Sequence, residues 1–236
     1  MTKQEMAFHQ ALINEDEEGV ENGIKAGVDL NQFFVPKPPF DYYYGSPIRI
    51  CFDRCIENRV DEIKSAKIVE LLAKNGADIE DVDDDVKINL LMFAMNNNKF
   101  LIAQTLIQYG ANVNHIAADG ETCIFFAISN PWSRELVKTL TLLKDKGADF
   151  EQKIFSNGYP PIYYSDCVTQ AQFYIDLGVS IYPPIGETLT PEAYLHSQGK
   201  HDAANFIASF RASREEGILQ QYVNHPADAK NKRARM

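Results

Sequence analysis

Few residues in this chain are able to do chemistry, and their spacing does not assemble them. Five histidines stand at positions 9, 115, 196, 201 and 225. None sits in a Gly-x-Ser-x-Gly, phosphate-loop or His-Glu-x-x-His setting, the arrangements that give a nucleophile, an anion cradle or a zinc ligand pair its geometry. Of the four cysteines, Cys51 and Cys55 are four apart and Cys123 and Cys167 stand alone. A metal site would want two Cys-x-x-Cys pairs, so buried free thiols are the expectation. The acidic run Glu80, Asp81, Asp83, Asp84 and Asp85 resembles a calcium loop in charge only, lacking the central glycine and the closing glutamate. The expectation is therefore no enzyme, no cofactor and no metal, with catalysis kept as a distant alternative.

Charge narrows the partners. The formal net charge is −10; residues 211–236 carry six basic and three acidic side chains, which leaves the preceding body at −13. A body of that sign is unsuited to nucleic-acid phosphates. It favours a basic protein through long-range steering. No apolar run approaches a membrane span, and the first residues lack the apolar core of a signal peptide, so a cytoplasmic, membrane-free protein is expected, acting as a monomer. Four positive charges within Lys230–Met236 read as a solubilising tail rather than a nucleic-acid or membrane contact.

What must position any functional residue is a recurring segment. Leu106 and Ile107 close an apolar helical pattern, Gly110 ends it, and Ala111, Asn112, Val113 and Asn114 lead away. Glycine suits a helix end because it enters the left-handed conformation without steric cost. The same pattern returns at Gly27, Gly76 and Gly147, and degraded at Gly178, with gaps of 49, 34, 37 and 31 residues. A second anchor keeps register with it. It runs as Ser46-Pro-Ile-Arg-Ile-Cys51, Asn89-Leu-Leu-Met-Phe-Ala94 and Thr122-Cys-Ile-Phe-Phe-Ala127, more weakly from Pro160 and Thr190, and as a half-match at Phe8–Ala11.

A period of about 33 residues opened by a Thr-Pro-Leu-His-x-Ala pattern resembles the ankyrin-repeat family over about residues 4–210. The resemblance implies an all-α solenoid of about six helix–turn–helix repeats with β-hairpin fingers. The repeats fall at about 4–31, 32–80, 81–114, 115–151, 152–181 and 182–210, and residues 211–236 form a C-terminal helix and basic tail. The first and last repeats serve as caps. The well-formed copies place 16 residues between the small residue of helix one and the closing glycine, as from Ala94 to Gly110. Longer spans locate insertions within Ile56–Ser65 and near Asn130–Ser133. The 13 residues from Ser165 to Gly178 predict a clipped helix pair, with Ser165 buried in place of the repeat alanine.

The first finger is long. Within Gln32–Gly45, six of 14 residues are aromatic, and prolines 36, 38 and 39 keep it extended. It is either a recognition element or a loop folded back on repeats one and two.

The resemblance implies binding on the concave face, made of first helices and fingers. By register, Ile50, Phe93, Phe126, Tyr164 and Tyr194 form an aromatic and aliphatic stripe on that face. Arg54, Asn97 and Asn130 lie one turn further on. These residues either contact a partner or pack between neighbouring first helices. The fingertips supply Tyr42, Tyr43, Tyr44, Val86, Asp119, Glu121, Asn157, Tyr159 and Glu187; Asp119-Gly120 and Asn157-Gly158 read as turn chemistry. The expected function is non-catalytic protein binding. Its sharper form resembles a bacterial immunity protein that neutralises a toxin; the alternative is a scaffold, or a secreted effector that engages a host protein.

Overall fold

The computed structural model describes residues 1–34, 45–57, 61–82, 85–155 and 158–224. The described residues are helical, and the chain divides into two compact units. The first comprises Met1–Asp149 and Ile154–Gly158, the second Phe150–Lys153 and Tyr159–Met236.

The first unit is four helix pairs. They are α1 (Lys3–Asn14) with α2 (Glu17–Lys25), α3 (Pro47–Ile56) with α4 (Glu62–Lys74), α5 (Leu90–Asn96) with α6 (Phe100–Gln108), and α7 (Cys123–Ile128) with α8 (Arg134–Asp145). Second helices pack in a row, α2 on α4, α4 on α6 and α6 on α8. Among the first helices α1 packs on α3 and α5 on α7, and the Phe52 and Phe93 rings bridge α3 to α5 at 5.7 Å. Helix starts follow the sequence. Ser46, Asn89 and Thr122 each accept a backbone N–H three residues on through the side chain, satisfying a donor the helix cannot.

Helix ends follow it too. At Gly110, φ is +96°. Its N–H donates to Ile107 O at 3.2 Å and that of Ala111 to Leu106 O at 3.0 Å, a Schellman closure. The same pair of bonds recurs at Gly27, Gly76, Gly147 and Gly178.

The recurring segment also joins one repeat to the next. The side chain four residues past each glycine accepts the N–H two residues past the following glycine. Asn31 accepts from Asp78 at 2.7 Å, Glu80 from Asn112 at 2.5 Å, and Asn114 from Asp149 at 2.9 Å. In the second unit Glu151 accepts from Ser180 at 2.6 Å. The two asparagines return a bond through Nδ2 to Gly76 O and Gly147 O. The Gly-Ala-Asn-Val-Asn pattern is thus a ladder of inter-repeat hydrogen bonds.

The insertions fall where the spacing put them. Repeat two spends its extra residues on longer helices, 10 in α3 and 13 in α4 against 7 in α5 and 9 in α6. In repeat four α7 stops short before Pro131, which disfavours helix in the residue ahead of it, and Ser133 caps α8. Each described finger of the first unit is narrowed to one isolated bridge: Phe34 with Gly45, Val82 with Asn89, Ile116 with Thr122.

The second unit is less regular. Repeat five opens with a 3₁₀ turn, Pro161–Tyr164, followed by α9 (Val168–Asp176). Ser165 is buried there, its hydroxyl donating to Ile162 O at 2.9 Å. Then come α10 (Pro191–Ser197) and α11 (His201–Asn224), one 24-residue helix running on past Phe210.

Candidate functional site

On α3 and α5 of the first unit, charge and aromatic surface meet. The Arg49 guanidinium lies 4.6 Å from the Phe93 ring centre, and its Nε is 3.6 Å from Asp53 Oδ1. Phe93 is half-buried. Burial pushes the Asp53 carboxyl up to about 6; Arg49 opposes that, and Glu57 and Asp81 add to it. Asp81 is itself held by the Ser46 hydroxyl at 2.8 Å. Asp53 is therefore an acid paired with Arg49 on a half-open face, with burial keeping its carboxyl above the ordinary range.

The stripe expected from register divides in the structure. Phe93 is accessible, but Ile50 is fully buried and Phe126 nearly so at 6% exposure. Both are corrected to core positions. The reason is packing: an apolar side chain on a first helix flanked by neighbours gains more from being covered than from facing water. On α7 the partly open ring is Phe125 instead, edge-on to Phe126 at 5.2 Å and to Phe155 at 5.5 Å. Arg54, Asn97 and Asn130 are all half-buried. The amides of the two asparagines are engaged by helix ends. Asn97 Nδ2 donates to Phe93 O at 2.9 Å; Asn130 Nδ2 donates to Phe126 O at 3.0 Å and across to Met95 O at 2.6 Å. The Asn130 amide thereby ties α7 to α5, whereas that of Asn97 stays within its own helix.

The fingers of the first unit carry exposed apolar side chains at Phe33, Val86 and Ile116. Fingers two and three are joined: Ala118 N–H donates to Val86 O at 3.0 Å, and His115 Nε2 lies 2.7 Å from Lys87 O. Lys87 holds φ +55°, which turns the finger sharply. Glu121 is partly covered, and burial followed by the Asp119 charge raises its carboxyl. Gly120, at φ +79°, closes a turn on Ala117 O, the structural role expected for Asp119-Gly120. The residues Tyr42, Tyr43, Tyr44, Asn157, His225 and Lys230–Met236 lie outside the described residues.

In the second unit Tyr159, Tyr164 and Tyr194 come together around a fourth ring that sequence reasoning passed over, Tyr163. Tyr159 and Tyr163 stack at 4.6 Å, and Tyr194 meets Tyr159, Tyr163 and Tyr164 at 5.4–5.8 Å. Tyr163 is wholly buried and its hydroxyl donates to Leu189 O at 2.8 Å. Tyr164 OH accepts the Tyr159 N–H at 3.2 Å. Burial raises both phenols, Tyr163 and Tyr164, to about 12, so both stay neutral donors at physiological pH. Tyr159, Tyr164 and Tyr194 keep half-open edges. Only Tyr163 had no surface signal; its place two residues past Pro161 in a repeat-opening segment was the clue.

Cys51, Cys55 and Cys123 are buried, and burial pushes the Cys123 thiol up to about 12. Cys167 is exposed, against the expectation of four buried thiols, because it lies at the open start of α9. Glu80 and Asp81, the first carboxylates of the acidic run, serve the inter-repeat ladder and the α3 cap. Among the described residues no group of three or more His, Cys, Asp or Glu is placed to hold a metal ion, and no helix is long and apolar enough to cross a membrane.

Comparison with known proteins agrees with this architecture. Residues 60–154 match the family model for ankyrin repeats in three copies. No curated protein sequence matches the chain. Among solved structures, a chain in the complex of a predatory endopeptidase from Bdellovibrio bacteriovorus with an immunity protein is similar. It is 20% identical with a TM-score of 0.61, over 86% of this chain and 97% of that one. An ankyrin repeat domain from Acinetobacter baumannii AYE is 13% identical with a TM-score of 0.64, over 87% and 97%. The ankyrin repeat domain of Bcl-3, of the IkappaB protein family, is 14% identical with a TM-score of 0.64, over 86% and 85%. At these identities the likeness is one of fold.

Proposed function

We propose, on the premise that the chain is built of ankyrin repeats and is a protein-binding module, that it is an inhibitor of the immunity-protein kind, occluding a basic protein partner. The observation that carries the reading is the half-open face of α3 and α5, where Arg49 pairs with Asp53 and covers the Phe93 ring. Burial pushes the Asp53 carboxyl up, Arg49 opposes that, and Glu57 and Asp81 add to it. A Lys or Arg from a partner would add a second cation beside Arg49 and meet the carboxylates Asp53, Glu57 and Asp81. The body charge of −13 steers such a partner toward the surface. Exposed Phe33, Val86 and Ile116 on the fingers of the first unit supply apolar contact area. The endopeptidase–immunity protein complex among the structural neighbours supports the inhibitory form of the reading.

The test is affinity purification from native cells, identification of the co-eluting protein, and titration of that purified protein against the wild-type chain and Asp53→Asn. The reading expects a basic protein whose own activity falls on binding, and an affinity lowered about tenfold or more by the substitution. A captured partner whose activity is unchanged in the complex would remove the inhibitory role and leave a scaffold.

A further inference from the structure

Two exposed histidines of the second unit face each other across a single turn. His196 lies in the last turn of α10 and His201 opens α11. Their Nδ1 atoms are 3.0 Å apart and their ring centres 5.3 Å, with 38° between the planes. We propose that this pair chelates one divalent transition-metal ion of the zinc class, with water in the remaining coordination positions. The site lies within one unit and is independent of the binding reading above.

The distance is the one a shared ion needs. Two imidazole nitrogens bound to one ion at about 2.0–2.1 Å each, at octahedral to tetrahedral angles, lie about 2.9–3.4 Å from each other. Without an ion, one Nδ1 carries the hydrogen between the rings. Moving that hydrogen to Nε2 gives the other tautomer of the same ring and frees both lone pairs, with no proton lost from the protein. Both side chains are exposed, so burial does not oppose the small ring rotation that aims them at one point.

The backbone holds the pair in place. Gly199, at φ +74°, ends α10; its N–H donates to His196 O at 3.1 Å and that of Lys200 to Leu195 O at 2.9 Å. This is the closure that ends the repeat helices. Leu195 beside His196, and Ala203 and Ala204 just past His201, are buried and anchor both arms of the turn. The neighbouring charges are taken up internally. Lys200 pairs with Asp166 at 2.6 Å, and Glu192, one turn before His196, pairs with Arg211, Nη2 to Oε2 at 2.7 Å. The Lys200 charge is thereby offset toward an incoming cation, and ligation falls to the imidazoles. Imidazole suits zinc, copper and nickel, whereas magnesium and calcium take oxygen ligands. Among the described residues no third His, Cys, Asp or Glu joins the pair, which leaves the other positions to water.

The test is calorimetric titration of the full chain with Zn²⁺ and, separately, Mg²⁺, for wild type, His196→Gln, His201→Gln and, as a reference, the exposed thiol variant Cys167→Ser. The imidazole NMR signals of the wild-type chain, followed through the same Zn²⁺ titration, report on the two rings without any substitution. The expected result is saturable Zn²⁺ binding that shifts the His196 and His201 signals together. Either glutamine should lower the affinity about tenfold or more, at least the loss that follows from removing an outer partner of a metal ligand. Cys167→Ser should bind as wild type does, and Mg²⁺ should not bind. Zn²⁺ that leaves both imidazole signals unmoved, binding lost in Cys167→Ser but kept in the glutamine variants, or Mg²⁺ binding as tightly as Zn²⁺ would each overturn the site.

Discussion

The two units share one scheme for holding their repeats together, and the second adds to it. In the first, from α1 to α8, the same bonds recur at each step: a capping side chain, a Schellman glycine, and an Asn or Glu reaching into the next segment. The second keeps the Schellman closure at Gly178 and the Glu151–Ser180 bond, but the first helix of repeat five shrinks to a 3₁₀ turn and further side-chain contacts appear. A buried tyrosine, an Arg211–Glu192 pair and a stacked ring cluster there supplement the periodic bonds. Stability in a repeat array is a sum of local and nearest-neighbour terms. A repeat that loses helical length therefore needs a larger contribution from each remaining contact. The second unit should accordingly be more sensitive to single side chains, and the first more tolerant.

That contrast can be broken by substitution. Tyr163→Ala, removing a wholly buried ring, is expected to lower stability by about 3–5 kcal/mol in thermal or urea unfolding. Arg211→Ala comes next, about 2–4 kcal/mol, because it leaves Glu192 partly buried without its partner; Arg211→Lys should recover only part, since the fork to Glu192 is lost. In the first unit Asn114→Ala, which deletes both bonds to the Gly147 loop, should cost about 1–2 kcal/mol. If Asn114→Ala destabilised as much as Tyr163→Ala, the division of labour between the units would be wrong.

A pH dependence of stability is expected as well. Asp53 titrates near 6 in the folded chain against about 4 when unfolded. Its folded pKa is raised, so its contribution is present below about pH 4 and lost as pH rises through about 6. Stability measured between pH 4 and 7 should therefore fall by this increment with rising pH. Asp53→Asn should flatten that slope, and an unchanged slope would place the acid in a different environment. Partner binding runs the other way. A cation from the partner favours the ionised acid, so affinity should rise between pH 5 and 7.

Much of this fold was legible in the residues themselves. The five glycines state where helices end because glycine enters the left-handed turn without steric cost, and Ser46, Asn89 and Thr122 state where three helices begin. The inter-repeat ladder was written in Asn31, Glu80, Asn114 and Glu151, although only the structure shows that their side chains cross to the next repeat. What register did not reveal was how completely each first-helix position is covered. Ile50, Phe93 and Phe126 share one place in their helices, yet only Phe93 stays open, because exposure depends on neighbours brought in from other repeats. Arg211 lay beyond the last periodic residue, and its partners Ile181 and Glu192 are 30 and 19 residues away.

Hydrogen exchange on the full chain, free and with the co-purified protein bound, tests the central claim most directly. Protection is expected in the segment Arg49–Asp53, around Phe93 and in the fingers that carry Val86 and Ile116. Protection confined to the second helices α4, α6 and α8, or none anywhere, would contradict binding through the first helices and fingers.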